Sequence, residues 1–170
     1  MMRAAPILAA LSASVFGVMI WLVATVLKPH ADGLATFDER FFGYTLLDAR
    51  TYLDALDSVG RATYLVEMRA LDTVFPVVFA MLIGHLTMRC AAWMHPWSRM
   101  ILVLPVAGYA IMDLGENALV AGLLHAGSDG VTADMVSLAS EFTITKSVLF
   151  LISLVLLAVL WLVARRKQSA

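Results

Sequence analysis

Residues 100–124 read MILVLPVAGYAIMDLGENALVAGLL, and the pentapeptide Asp113-Leu114-Gly115-Glu116-Asn117 places two carboxyls and a carboxamide near the middle of an otherwise apolar run. About 25 residues at a rise of roughly 1.5 Å each exceed a hydrocarbon core of about 30 Å, so the run spans a membrane as a helix. On that helix Asp113, Glu116 and Asn117 share one face, because spacings of three and four residues make about one turn; Tyr109 and Val120 extend the face. A charge at bilayer depth costs roughly 2.5–3.5 kcal/mol on insertion scales, so this face turns inward and other spans must supply its partners. The expected fold is therefore an all-α, polytopic membrane four-helix bundle.

Composition agrees. The chain of 170 residues is 61% hydrophobic and 15% charged, with a mean hydropathy of +0.85, far from the roughly 25% charged residues of soluble domains. A net charge of −1 with no basic, aromatic-interleaved patch gives nucleic acid nothing to bind. Cys90 is the only cysteine, which excludes an intrachain disulfide and a multi-thiolate metal site. No cofactor or metal is expected. The lipid bilayer is the partner that composition demands.

The chain reads as one domain with spans at about 5–27, 66–88, 100–124 and 143–164. The first has no charge between Ala5 and Leu27, is too long for the apolar part of a signal peptide, and is closed by Lys28 and Pro29. In the polar stretch 30–62, Leu46, Ala49, Leu53 and Leu56 recur at helical spacing opposite Asp48, Arg50, Asp54 and Asp57. This short external amphipathic helix, with Phe37, Phe41, Phe42, Tyr44 and Tyr52 around it, either lies on the membrane surface or caps the mouth of the bundle. Ser58 is the expected N-cap of the second long helix. Within that helix Pro76 deprives the Asp72 carbonyl of its amide donor, leaving a free carbonyl beside a carboxylate. Residues 125–142, with Gly127, Gly130 and three acids, read as a second connecting loop.

Charge sets the orientation. Arg3, Arg89, Arg99, Arg165, Arg166 and Lys167 fall on one side of a four-span chain, with no acidic residue among them. Both termini are then cytoplasmic, in a plasma or bacterial inner membrane, and the segments 28–62 and 125–142 are external. This topology gathers Asp72, Asp113, Glu116, Asn117 and Lys146 into one layer in the outer half of the bundle. Arg61, Tyr64 and Arg69 stand at its rim. Three carboxyls against one ammonium leave two negative charges, to be met by protons, by Arg69 reaching down, or by a bound cation. Lys146 could instead snorkel to the headgroups, and the acids could serve only as helix–helix glue. His85 lies about 20 Å from Asp72 at the helical rise, so it does not belong to the same site and reads as a packed or hydrated histidine. Gly115, Ala118 and Gly122 form a small-residue stripe on the other face of the third span, where another helix or a second copy could approach.

Together, Gly60-Arg61-x-x-Tyr64, Asp72-x-x-Phe75-Pro76, Asp113-x-x-Glu116-Asn117 and Thr145-Lys146 resemble the pattern of a family of uncharacterised four-span bacterial inner-membrane proteins, over roughly residues 44–147. The resemblance implies the four-span architecture and marks Arg61, Tyr64, Asp72, Glu116, Asn117 and Lys146 as residues of interest. In outline only, a small bundle with inward-facing acids is also similar to the sterol-isomerase and sigma-2-receptor type of membrane protein.

Three functional readings follow. A binding or transport module would accept a small cationic or amphiphilic ligand, or a proton, at the acidic layer. A structural or assembly subunit would use the layer to fix helix packing. A membrane enzyme would divide acid and base roles between Asp113 and Glu116, with Lys146 stabilising developing negative charge; it lacks a nucleophile motif, a neighbouring histidine and a metal-ligand cluster.

Overall fold

Stretches free of charge decide where the long helices run. The computed structural model describes residues 4–169; Arg3, part of the orientation argument, lies outside them. Helix α1 covers Ala4–Leu27, its last turn widened to a π-helix over Val23–Leu27. It stops where Pro29 opens a short 3-10 turn, Pro29–Ala31, and Asp32 turns the chain with a left-handed φ of 50°. Helices α2 (Leu46–Ala55), α3 (Ser58–Cys90), α4 (Pro96–Gly130) and α5 (Ala133–Ser169) follow. All except α2 are long and apolar enough to cross a membrane. Helix α3 packs between α1 and α4 and also touches α5, while α5 lies along α4.

Two boundaries differ from the sequence reading. The N-cap of α3 is Asp57, not Ser58: its Oδ1 accepts from the Gly60 amide at 2.9 Å. That amide, and then His30 at 2.7 Å, hold the Asp57 carboxyl below the usual carboxylate range. The expected loop at 125–142 is almost entirely helical, and only Val131 and Thr132 join α4 to α5, after a break at Gly127 with a φ of 70°. His125 and the three acids there, Asp129, Asp134 and Glu141, are exposed on the extended helices. Val136, Ala139 and Thr143, three and four residues apart, form the buried face that keeps the segment helical.

What buries that face is the segment between α1 and α3. Of the two placements open to α2, the structure has the cap. Thr45 closes its first turn, accepting from the Asp48 amide while the Asp48 carboxylate accepts from the Thr45 amide at 2.8 Å. Its inner face, Ala49, Tyr52 and Leu53 with Leu56 beyond, packs in one core with Leu123, Leu124, Val131, Val136 and Ala139 from α4, α5 and their connection. Ahead of α2, Phe37 is wholly buried and its ring sits 5.0 Å from both Tyr44 and Tyr52. Burial pushes the Tyr44 and Tyr52 phenols upward in pKa, so both are neutral parts of this core. The Tyr44 amide donates to Ser140 Oγ at 2.9 Å, fastening the cap to α5.

Gly43 makes that fastening possible. Its φ is 89°, and a Cβ there would lie 2.6 Å from Ser140 Oγ and 2.9 Å from Ile144 Cδ1. Gly33, also left-handed at 77°, faces open space. Alanine at either position incurs backbone strain of roughly 1–2 kcal/mol, but only Gly43→Ala also forces the cap away from α5. Gly43→Ala is expected to lower the thermal midpoint in detergent more than Gly33→Ala and to make residues 32–57 protease-sensitive; equal effects would contradict the close packing.

Candidate functional site

The side chain at the centre is Lys146 on α5, one turn from Thr143 on the same face. Its Nζ lies 2.9 Å from Asp113 Oδ1 and 3.1 Å from Asp38 Oδ1, and it is ion-paired with Glu116 Oε2. The other oxygen of Glu116 accepts from the Thr143 hydroxyl. Glu116 is wholly buried and Lys146 nearly so, so Lys146 does not snorkel outward. The α4 face inferred from spacing is therefore the face that meets α5.

Asp38 comes from the cap. Its neighbour Phe37 fills the aromatic pocket between Tyr44 and Tyr52, and this carries the carboxylate down onto Lys146. Its second oxygen, Oδ2, accepts from the Tyr64 hydroxyl at 2.7 Å. Tyr64 thus joins the layer through a residue that the sequence reading missed. Thr143 was missed too, although its position one turn before Lys146 was a usable signal. Nothing periodic in the 3-10 turn Phe37–Glu39 marks Asp38.

The free carbonyl expected at Asp72 is satisfied. Asn117 Nδ2 on α4 donates to Asp72 O on α3 at 2.8 Å, replacing the amide that Pro76 lacks. Asp72 is only 5% exposed, yet its carboxylate has no hydrogen bond or ion pair among the described residues. It lines a crevice of about 10 Å³ with Tyr64, Arg69, Asn117 and Val120, which is room for about one water. Arg69 stays exposed at the rim and pairs with no carboxylate among the described residues, so it does not offset the layer's charge. Arg61 lies elsewhere: its guanidinium donates to the Leu124 carbonyl, in the turn before the Gly127 break of α4, and to the Leu53 carbonyl in the last turn of α2.

The layer is sealed on two sides. Above it are Phe37, Tyr44, Tyr52 and Tyr64. Below it Phe75, Phe79, Tyr109 and Phe150 form a second aromatic set, with Phe79 5.1 Å from Phe150 and 5.6 Å from Tyr109. Three carboxyls, Asp38, Asp113 and Glu116, meet the one ammonium, and Asp72 is a fourth carboxyl in the layer, a formal surplus of three negative charges. The two histidines nearest the cap in sequence pair elsewhere: His30 with Asp57, and His125 with the Ala121 carbonyl of its own helix at 2.6 Å. Of the small-residue stripe, Gly115 is occupied by this chain's own α5, since a Cβ there would lie 2.5 Å from Phe142; Gly122 has nothing within 4 Å.

The chain matches no family model, no curated protein and no solved structure.

The α3–α4 bond yields a reciprocal prediction. Asn117→Leu leaves the Asp72 carbonyl unpaired in an apolar setting and is expected to destabilise by about 1–3 kcal/mol. Pro76→Ala resupplies the amide and should recover part of that loss in the Asn117→Leu background while doing little alone. Unfolding curves of the four proteins in detergent measure this; strictly additive effects would contradict the assignment.

Proposed function

We propose that the chain is a four-span integral protein of a bacterial inner membrane, termini in the cytoplasm, whose buried layer of Asp72, Asp113, Glu116 and Lys146 takes up and releases a proton, or a small cation in its place, beneath an external cap. The observation that carries this reading is the layer's formal surplus of three negative charges, together with the unpartnered carboxyl of Asp72, which lines the crevice. Uncompensated charge in a low-dielectric interior is strongly penalised, and ionisable residues inside spans mark proton and ion pathways by default. The crevice favours a proton or a bare small ion over an amphiphile, which would need a cavity of roughly 300 Å³ or more.

In this reading Asp72 meets the incoming proton, since it is the acid that lines the crevice. Asp113, Glu116 and Asp38 share Lys146, so a proton on any of them weakens its hold on the ammonium and strengthens that of the other two. Asp38 belongs to the cap, so the charge state of the layer and the seating of the cap are coupled. Arg61 acts as a brace, and Arg69 as a charge at the mouth.

A second reading, an assembly subunit whose layer fixes helix register, is favoured by the Asn117 bond to the Asp72 carbonyl, which serves packing alone. In that reading the exposed Ala118 and the open side of Gly122 offer α4 to a second copy.

Infrared difference spectra of the protein in liposomes, taken from about pH 5 to about pH 9, separate the two. The proton reading expects a titrating carboxyl band that is diminished in Asp72→Asn and in Glu116→Gln. Spectra without a titrating carboxyl band would contradict the proton reading.

A further inference from the structure

Two large side chains of the cap stand outside its core. Phe41 is 60% exposed and Phe42 97%, although Phe37, Tyr44 and Tyr52 around them are buried. The Gly43 amide donates to the Arg40 carbonyl at 2.7 Å, so Phe41 and Phe42 are the central residues of a tight turn. The tip carries no charge. Residues 41–47 have none, and the Arg40 guanidinium folds back to donate to the Ala35 carbonyl at 3.1 Å, with Asp48 at 3.9 Å. Adjacent phenyl rings held at a turn gain free energy only where something removes them from water.

The seat of the turn identifies what does so. A Cβ on Gly43 would lie 2.6 Å from Ser140 Oγ and 2.9 Å from Ile144 Cδ1, so its neighbour Phe42 stands beside α5 at the level of Ile144. Glu141 and Arg165 are exposed on α5, and the one charged residue between them, Lys146, is buried. Residues 144–164, about 21 residues at roughly 1.5 Å each, measure about 31 Å, the thickness of a hydrocarbon core. Ile144, Val148, Leu151 and Val155, three and four residues apart, form an exposed apolar stripe along that length. Ile144 is its outer end, one turn below Glu141. A second copy is a poorer occupant: two aromatic side chains of about 150–250 Å² each fall short of the roughly 800 Å² per partner of a stable interface.

We propose that the Phe41-Phe42 turn inserts into the outer-leaflet interface of the bilayer, between headgroups and acyl chains, and anchors the cap to the membrane, much as phenylalanines on interfacial helices do. This rests on the four-span reading and not on the proton chemistry of the carboxylate layer. Asp38, which Lys146 holds from inside at 3.1 Å, lies three residues before Phe41, so lipid and ammonium fix the same segment from opposite sides.

The test uses the full chain with Cys90→Ser, carrying a nitroxide at Phe42→Cys, Leu151→Cys or Asp54→Cys in turn, in phosphatidylcholine liposomes. Power-saturation electron paramagnetic resonance compares collisions with oxygen, which partitions into lipid, and with a water-soluble nickel chelate. Phe42 is almost wholly exposed, so its replacement leaves the core intact. The label at 151 is expected to meet oxygen and exclude nickel, and the label at exposed Asp54 to do the reverse. The oxygen-to-nickel ratio at 42 should lie between the two, several-fold above that at 54. A ratio at 42 equal to that at 54 would overturn the anchor and leave the spans standing; a label at 42 that neither reagent reaches, marking a protein partner, would overturn it too. Nickel access at 151 equal to that at 54 would overturn the four-span reading and the anchor with it.

Discussion

A single ammonium group in an apolar interior governs the arrangement of this protein. Taking Lys146 out of water costs several kcal/mol, and attraction repays this only when carboxylates approach with good geometry and their own lone pairs are met. The chain meets that demand with three carboxylates from two elements, Asp113 and Glu116 on α4 and Asp38 on the cap. The first two lie one turn apart, so their pairing fixes the rotation of α4 against α5. The third fixes where the cap sits. Thr143 and Tyr64 then satisfy the outer oxygens of Glu116 and Asp38.

The aromatic layers make the charges count. Phe37, Tyr44 and Tyr52 above, and Phe79, Tyr109 and Phe150 below, keep water from screening the pairs, so each is stronger than it would be at a surface, and each unpaired charge costs more. Helix register and cap closure are therefore not separable properties of this bundle. Asp72 is the exception among the layer's acids. Its backbone carbonyl is tied to α4 by Asn117, while its carboxyl remains without a partner beside a crevice of single-water size.

Much of this was legible in the sequence because helical periodicity and proline chemistry are local rules. The face of Asp113, Glu116 and Asn117 follows from spacings of three and four. Topology puts Lys146 at the same depth, and Pro76 identifies the Asp72 carbonyl as a group in need of a donor. Asp38 was not legible, because its position depends on Phe37 packing among two tyrosines, a tertiary event in a segment without periodicity. The same dependence hid the helical character of residues 125–142: Val136, Ala139 and Thr143 form an interior face only once the cap covers them. Arg61 and Arg69 look alike as rim residues in the sequence. One is drawn to the carbonyls at helix ends and the other stays exposed.

If Lys146 joins the cap to the span carboxylates, Asp38 and Lys146 must act as a unit. Hydrogen exchange of the backbone amides in residues 36–44, measured in Asp38→Asn, Lys146→Met and the double variant, tests this most directly. The account predicts that each single variant loses protection across the cap and that the double variant loses little more than Lys146→Met alone, a coupling of about 0.5–3 kcal/mol, as expected of residues in direct contact. Protection losses that simply add, or a cap left undisturbed by Lys146→Met, would contradict it.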